Sequence, residues 1–304
     1  MLMAHVERYV ALQRSLGLRF DEQERLLTRY ARFASAAGDG FVTTQRVRAW
    51  SSEATSSGQA RVRYDTVRRF AAFLGAEEGR HEVPPPGAFG RGRRPRPAPY
   101  LLAPADIAAI MAAALALTPQ GTISPLTYHH LFGLLAATGL RISEALALKR
   151  DDLTDEGLIV RVGKFGKSRL VPLHPTTRAA LGRYLAARDH LGADGDDLFV
   201  VRHGRAPTQT RVYCVFVRLA RALGIRGAPG ARGPRLHDLR HSFAVRSLEA
   251  CPPDRPAVTR HMLALSTYMG HADVAATYWY LQATPVLLNG IAAAAEQAFA
   301  GGAE

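Results

Sequence analysis

The stretch VPPPGAFGRGRRPRPAP, residues 83–99, limits what this chain can fold into more than any other part of it. It holds six prolines and four arginines. Proline lacks a backbone N–H and clashes with the preceding helical turn, so the segment cannot continue a helix, and its like charges resist collapse. An extended linker is expected, rising about 3.1 Å per residue where polyproline-like. The chain then divides into residues 1–82, the linker 83–99 and residues 100–304. At 304 residues and 47% hydrophobic content, each of two domains can bury its own core. Such a linker can place two domains on different sides of a rod-like ligand; a plain solvated hinge fits it equally well.

Residues 1–82 read as helices. Val6, Tyr9, Val10 and Leu16 space one apolar face, and Leu26, Leu27, Tyr30 and Phe33 space another. TTQRVRAWSSEA opens with threonine caps. GQARVRYDTVRRFAAFLG follows as a fourth helix, with Val62, Val67, Phe70 and Phe73 toward a core and Arg61, Arg63, Arg68 and Arg69 as a basic set. Beyond the linker, APADIAAIMAAALAL and SPLTYHHLFGLLAATG read as helices, as do three later stretches from 175 onward. GLIVRVGKFGKSRLVPLH differs: short apolar runs flank a glycine-bounded turn at 163–166, the pattern of a β-hairpin. LFVV at 198–201 is one more candidate strand. The fold class is mainly α with a small β-sheet, α+β.

Charge narrows the partner. Lys and Arg number 39 against 26 Asp and Glu, giving +13, which points to a polyanion such as nucleic acid. Cys214 and Cys251 are the only cysteines and form no metal-ligand spacing, so neither a disulfide scaffold nor a zinc site is indicated. The longest apolar run, IAAIMAAALAL at 107–117, is too short to span a bilayer, and the N-terminus lacks a signal-peptide apolar core. A cytoplasmic location without membrane contact is expected.

Four patches concentrate chemistry. ATGLRISEALAL puts Arg141 just after a glycine at a helix start, where backbone N–H groups and a guanidinium can both meet a phosphate. VGKFGKSRL sets Lys164 and Lys167 at the hairpin tip. LHDLRHSFA spaces His237 and Arg240 at i, i+3 on one helix. GHADVAATYWYLQ adds His271, Tyr278 and Tyr280. Each alone has a bland reading: a surface arginine, solvated lysines, a chance pair, a core histidine beside an aromatic stripe.

Together, in this order and local context, Arg141, Lys164, His237, Arg240, His271 and Tyr280 resemble the tyrosine recombinase (phage integrase) family over nearly the whole chain. The resemblance implies a helical core-binding domain of the SAM-like kind over 1–82 and a catalytic domain with a C-terminal helix over 100–304. It implies that Arg141 and Arg240 clamp the scissile phosphate, that His237 and His271 hydrogen-bond it and assist proton transfer, and that Lys164 protonates the departing 5′ oxygen. Tyr280 is implied to attack, forming a 3′-phosphotyrosyl bond, with Glu144 as a structural orienter. The resemblance implies no cofactor, neither metal nor ATP. The implied partner is double-stranded DNA at specific recombination sites, bound by a homotetramer or together with related recombinases.

The boxes are Xer-like and closest to recombinases of transposons and other mobile elements. DNA contacts are expected from Arg61, Arg63, Arg68, Arg69, Arg93, Arg94 and Lys167. The His237–His271 interval of 34 residues is longer than the family pattern, with CPPDRPAVTRHMLALS holding the excess. In the tail, Leu287, Leu288, Ile291 and Ala295 offer an apolar face; the resemblance implies a C-terminal helix that docks on a neighbouring protomer, and a helix closing its own domain fits nearly as well. The alternatives are a catalytically retired or accessory DNA-binding protein of this fold, and a type IB topoisomerase-like relaxing enzyme.

Overall fold

A computed structural model describes residues 2–90, 99–161, 168–251, 255–271 and 273–281. The chain divides into two compact units, Met1–Arg96 and Pro97–Glu304.

The first unit is built from α1 (Leu2–Ser15), α2 (Asp21–Ala36), α3 (Thr44–Ser52) and α4 (Ser57–Glu77). The Thr43 and Ser56 hydroxyls accept the N–H groups of Arg46 and Gln59, capping α3 and α4. Leu27, Tyr30, Val47, Trp50, Val67 and Phe70 fill the centre. Two residues depart from the periodicity reading. Leu16 lies past the end of α1 and is exposed, and Val62 is 54% exposed because it precedes Val67 by five residues, about 140° around the helix. Tyr64, about 60° from Val67, takes the core position instead.

The described part of the proline-rich segment packs back on this unit. The Tyr64 hydroxyl donates to the Pro85 carbonyl at 2.9 Å, and Phe89 meets the Tyr64 ring edge-on at 5.4 Å. Residues 91–98, with Arg93 and Arg94, lie outside the described residues.

His81 closes the unit. Its ring is 4% exposed, flanked by His5 and Phe41, and its Nδ1 accepts the Val42 N–H at 3.1 Å. Burial, then His5 and Arg80, push this imidazole below its ordinary value against the opposing pull of Glu78. The unfolded chain, with an ordinary histidine near about 6.5, therefore binds more protons than the folded one as pH falls. The stabilisation is complete above that value and is lost as pH drops below it. Hydrogen exchange of α3 in the full chain, corrected for intrinsic rates, should show protection falling between about pH 7 and 5, and a flatter dependence in His81→Asn.

The second unit carries α5 (Pro104–Leu115), α6 (Ile123–Thr138), α7 (Ile142–Ala147), β1 (Leu158–Val160), β2 (Arg169–Val171), α8 (Pro175–His190), α9 (Gln209–Ala222), α10 (Asp238–Glu249), α11 (Arg255–Tyr268) and α12 (Ala275–Leu281). β1 and β2 pair antiparallel, Leu158 opposite Val171, as the hairpin pattern requires. The hairpin tip, 162–167, with Lys164 and Lys167, lies outside the described residues. LFVV is not a strand. Leu198, Phe199 and Val200 are buried, and their backbone is satisfied piecemeal: the Leu198 N–H donates to the Leu148 carbonyl at 2.7 Å, and side chains take other groups. Buried Arg188 donates to the carbonyls of Ala193 at 2.8 Å and Leu198 at 3.2 Å, and the Tyr184 hydroxyl accepts the Val200 N–H at 3.2 Å.

A large core joins α5, α6, α8 and α9 with the hairpin, and a smaller one joins α10, α11 and α12 around Val245, Leu248, Leu265, Met269 and Tyr280. α6 ends at Gly139, whose φ of 60° and close approach to Phe243, 2.5 Å from where a Cβ would stand, admit only glycine. That turn delivers Arg141 to the next element. No described helix is long and apolar enough to cross a membrane.

Candidate active site

Arg141 stands at the N-cap of α7. Its backbone N–H donates to Glu144 Oε2 at 2.9 Å and its guanidinium to Oε1 at 2.7 Å, closing the first helical turn. The same guanidinium reaches the carbonyls of Gly270 at 2.9 Å and Met269 at 3.4 Å. Arg240, one turn into α10 and 2% exposed, donates to Met269 O at 2.8 Å and to Gly139 O. Two guanidinium groups from distant parts of the chain thus share one carbonyl. Burial, then the neighbouring Arg141, pull Arg240 down to about 10, while Tyr280 and Glu144 act the other way. It stays charged at neutral pH.

Glu144 is buried between two arginines. Arg169, from β2, donates to both of its oxygens, at 3.1 and 2.9 Å, and its Nε donates to Tyr268 O at 2.9 Å. Burial alone would raise this carboxyl; the hydrogen bonds from Arg169 and from the Arg141 backbone overcome that and hold it at about 2. Its stabilising contribution is therefore present above the ordinary carboxylate value and is lost only in acid. Arg169 also packs under the turn at Gly270, which has φ 64° and where a Cβ would lie 2.7 Å from the guanidinium. The hairpin, the start of α7 and the turn before His271 are clipped together here. Arg169→Met strips Glu144 of its bidentate partner and should cost about 3 kcal/mol in urea unfolding of the full chain, against far less for a surface arginine.

His271 follows that turn, with its Nδ1 2.7 Å from the Thr277 hydroxyl. Tyr280, on α12, is 2% exposed; its ring lies near-parallel to His271 at 6.2 Å, and its hydroxyl is 3.1 Å from Nδ1 of His241. His237, at the N-cap of α10, is exposed and meets the His241 ring edge-on at 4.6 Å. Tyr278 is 54% exposed and faces away, as residues two apart on a helix point about 200° apart. Arg141, His237, Arg240, His271 and Tyr280 are thus brought to one place. Beside them a cleft of about 630 Å³ is lined by Gln209, Thr210 and Tyr213 of α9 together with Ile142, His237 and Arg240.

Charge sets what this place can hold. Arg141, Arg169 and Arg240 face one carboxylate, Glu144, which is three positive charges against one negative, or +2. An excess of charge in a partly dry site is a receptor for an anion.

The arginines of the first unit are placed differently. Arg63 lies over the Trp50 ring at 5.0 Å and donates to Trp50 O at 3.0 Å; Arg68 is 3.9 Å from Asp65. Arg61 is half-buried beside Gly87 and Phe89, and Arg69 is exposed. Sequence reasoning missed Arg169, His241 and Thr277. For the first two the signal lay two residues from Lys167, in KSRL, and one residue from Arg240, in LRH.

The fold is that of the two-domain integrases. The Tn1549 transposon integrase in complex with transposon right end DNA shares it with a TM-score of 0.65 at 16% identity, covering 92% of this chain and 94% of that one. A lambda integrase tetramer bound to a Holliday junction gives 0.65 at 18%, covering 92% and 76%. Residues 101–285 match the model of the phage integrase family. A putative integrase/recombinase, y4rB, of Sinorhizobium fredii strain NBRC 101917 / NGR234 is 38% identical over 93% of each chain. Tyrosine recombinase XerD of Rhizobium meliloti strain 1021 is 32% identical over 74% of this chain and 70% of its own. The chain belongs to the phage integrase family, the tyrosine-type site-specific recombinases.

Proposed function

We infer that the chain cuts and rejoins DNA strands through a covalent 3′-phosphotyrosyl intermediate on Tyr280. The observation that carries this reading is the +2 site beside a buried tyrosine hydroxyl. Attack on a phosphodiester takes the phosphate from one negative charge to two, and preorganised guanidinium groups favour the second over the first. Arg141 and Arg240 grip the non-bridging oxygens, His237 and His271 hydrogen-bond them and help move protons, and Lys164 gives a proton to the departing 5′ oxygen. Lys167 contacts DNA close by.

Because one phosphate ester replaces another, the step stores the bond energy and can be reversed to reseal a strand without ATP. The partner is double-stranded DNA at a specific site, with Arg61, Arg63, Arg68, Arg69, Arg93 and Arg94 on its backbone; Arg69 is the most accessible of the described four. Phosphate contacts of this kind position the protein and do not specify sequence. The tetrameric lambda neighbour supports assembly of four copies on two duplexes.

The test uses a duplex selected from a randomised pool by binding to the protein, nicked so that the cleaved end diffuses away. A covalent protein–DNA adduct should accumulate, with its phosphopeptide mapping to 275–281. An adduct elsewhere, or none, removes the reading.

A further inference from the structure

None of the roles implied by the resemblance falls on His241, yet its ring nitrogen touches the Tyr280 hydroxyl. Its Nδ1 lies 3.1 Å from Tyr280 Oη, and both side chains are 2% exposed. On the far side of the ring, Nε2 lies 3.9 Å from Oδ1 of Asp238, which is fully buried. Asp238 is itself fixed: its Oδ2 accepts the Arg235 N–H at 2.7 Å and its Oδ1 accepts from the Arg235 guanidinium at 3.2 Å. A carboxylate facing Nε2 favours the tautomer with its hydrogen there, which leaves the Nδ1 lone pair aimed at the phenol. Carboxylate, imidazole and hydroxyl stand in line, the order in which a buried acid orients a base that activates a nucleophile.

The other two histidines are disposed differently. His271 has its Nδ1 on Thr277 and lies near-parallel to the Tyr280 ring, and His237 stands exposed at the mouth of the cleft. Those positions suit a phosphate. The groups facing the His241–Tyr280 pair are Asp238, His237, Arg240, His271 and the Trp279 ring, which lies 5.1 Å from His241.

We propose that His241 is a catalytic residue that holds the Tyr280 hydroxyl and takes up its proton as the tyrosine attacks, with Asp238 orienting it and stabilising the imidazolium. This rests on Tyr280 being the nucleophile. In the step, the Tyr280 O–H bond breaks and an Nδ1–H bond forms. The Tyr280 Oη–phosphorus bond forms as the bond to the 5′ oxygen breaks, and that oxygen leaves with a proton from the acid on the opposite side. On resealing, Nδ1 returns its proton to the phenolate oxygen. A phenol with an ordinary pKa near 10 is scarcely ionised at neutral pH, so removing its proton in the transition state is worth a large factor.

The experiment measures adduct formation on the nicked, selected duplex from pH 6 to 10 for the full chain, for His241→Gln, and for both with a fluorinated, more acidic tyrosine at 280. Glutamine can still hydrogen-bond the hydroxyl but cannot take its proton. His241→Gln should bind the duplex as the wild type does and form adduct about 10²-fold more slowly at pH 7. The gap should narrow as pH rises, and the fluorinated tyrosine should recover most of the loss. Rates for His241→Gln within a few-fold of wild type, or a loss that the acidic tyrosine leaves untouched while DNA binding is intact, would overturn the proposal. The fluorinated tyrosine in the otherwise unaltered chain decides the matter without relying on any variant at 241. Its profile near neutrality should stay where histidine sets it, and a profile displaced in step with the phenol's acidity would mean that His241 takes no proton. An adduct that survives Tyr280→Phe overturns the nucleophile assignment itself and is told apart by that variant.

Discussion

Tyr280→Phe should abolish the covalent adduct on nicked DNA while leaving non-covalent binding unchanged, and Tyr278→Phe should leave both intact. The two tyrosines are separated by position on α12. Tyr280 turns inward onto the smaller core, its hydroxyl at His241 and its ring beside His271; Tyr278 is 54% exposed. Phenylalanine keeps the ring packing of Tyr280 against Val245, Leu265 and Met269 and removes one oxygen, so the fold loses only the net worth of a hydrogen bond, about 1 kcal/mol. The chemical loss is total, because no neighbouring group can form the same ester from the same place. The measurement is the fraction of protein shifted to a detergent-resistant, protease-sensitive complex with labelled DNA. Any adduct persisting in Tyr280→Phe and vanishing in Tyr278→Phe would reverse the assignment.

How much of this was legible without coordinates depended on the range of the interaction. Helix faces of α1 to α4 repeat within a few residues, so most of that core could be read; the exceptions were Leu16, past the end of α1, and the start of α4, where Val62 and Tyr64 are both apolar and only packing decides between them. The hairpin could be read because its two apolar runs flank glycines. LFVV could not, because strand or buried loop depends on what satisfies the backbone, and here that is the Leu148 carbonyl together with the Arg188 and Tyr184 side chains. Within the site, Arg141, His237, Arg240, His271 and Tyr280 were marked by motif order. Arg169 and His241 were not, since their roles come from partners 25 and 39 residues away: Glu144 for one, the Tyr280 hydroxyl for the other. Local spacing says nothing about such distances.

Arg240→Lys should slow adduct formation by about 10³-fold with DNA binding largely kept, although it preserves the formal charge. The planar guanidinium of Arg240 spans two carbonyls that belong to different turns, Gly139 at the end of α6 and Met269 at the end of α11, and those bonds fix its orientation. An ammonium group is a single point. It can satisfy one carbonyl or turn to the phosphate; Gly139 O then loses the Arg240 donor, or Met269 O keeps only the longer 3.4 Å bond from Arg141. The environment adds a second penalty. Burial and Arg141 draw the guanidinium below its usual value to about 10, which leaves it charged across pH 7 to 9. An amine begins near about 10.4, and the same surroundings bring it within reach of neutrality. Loss of activity in Arg240→Lys should therefore deepen on the alkaline side, where the wild type keeps its rate. Adduct formation measured from pH 7 to 9 on the same nicked duplex checks both parts. A lysine variant within tenfold of wild type, with no alkaline fall, would show that Arg240 serves the fold and not the phosphate.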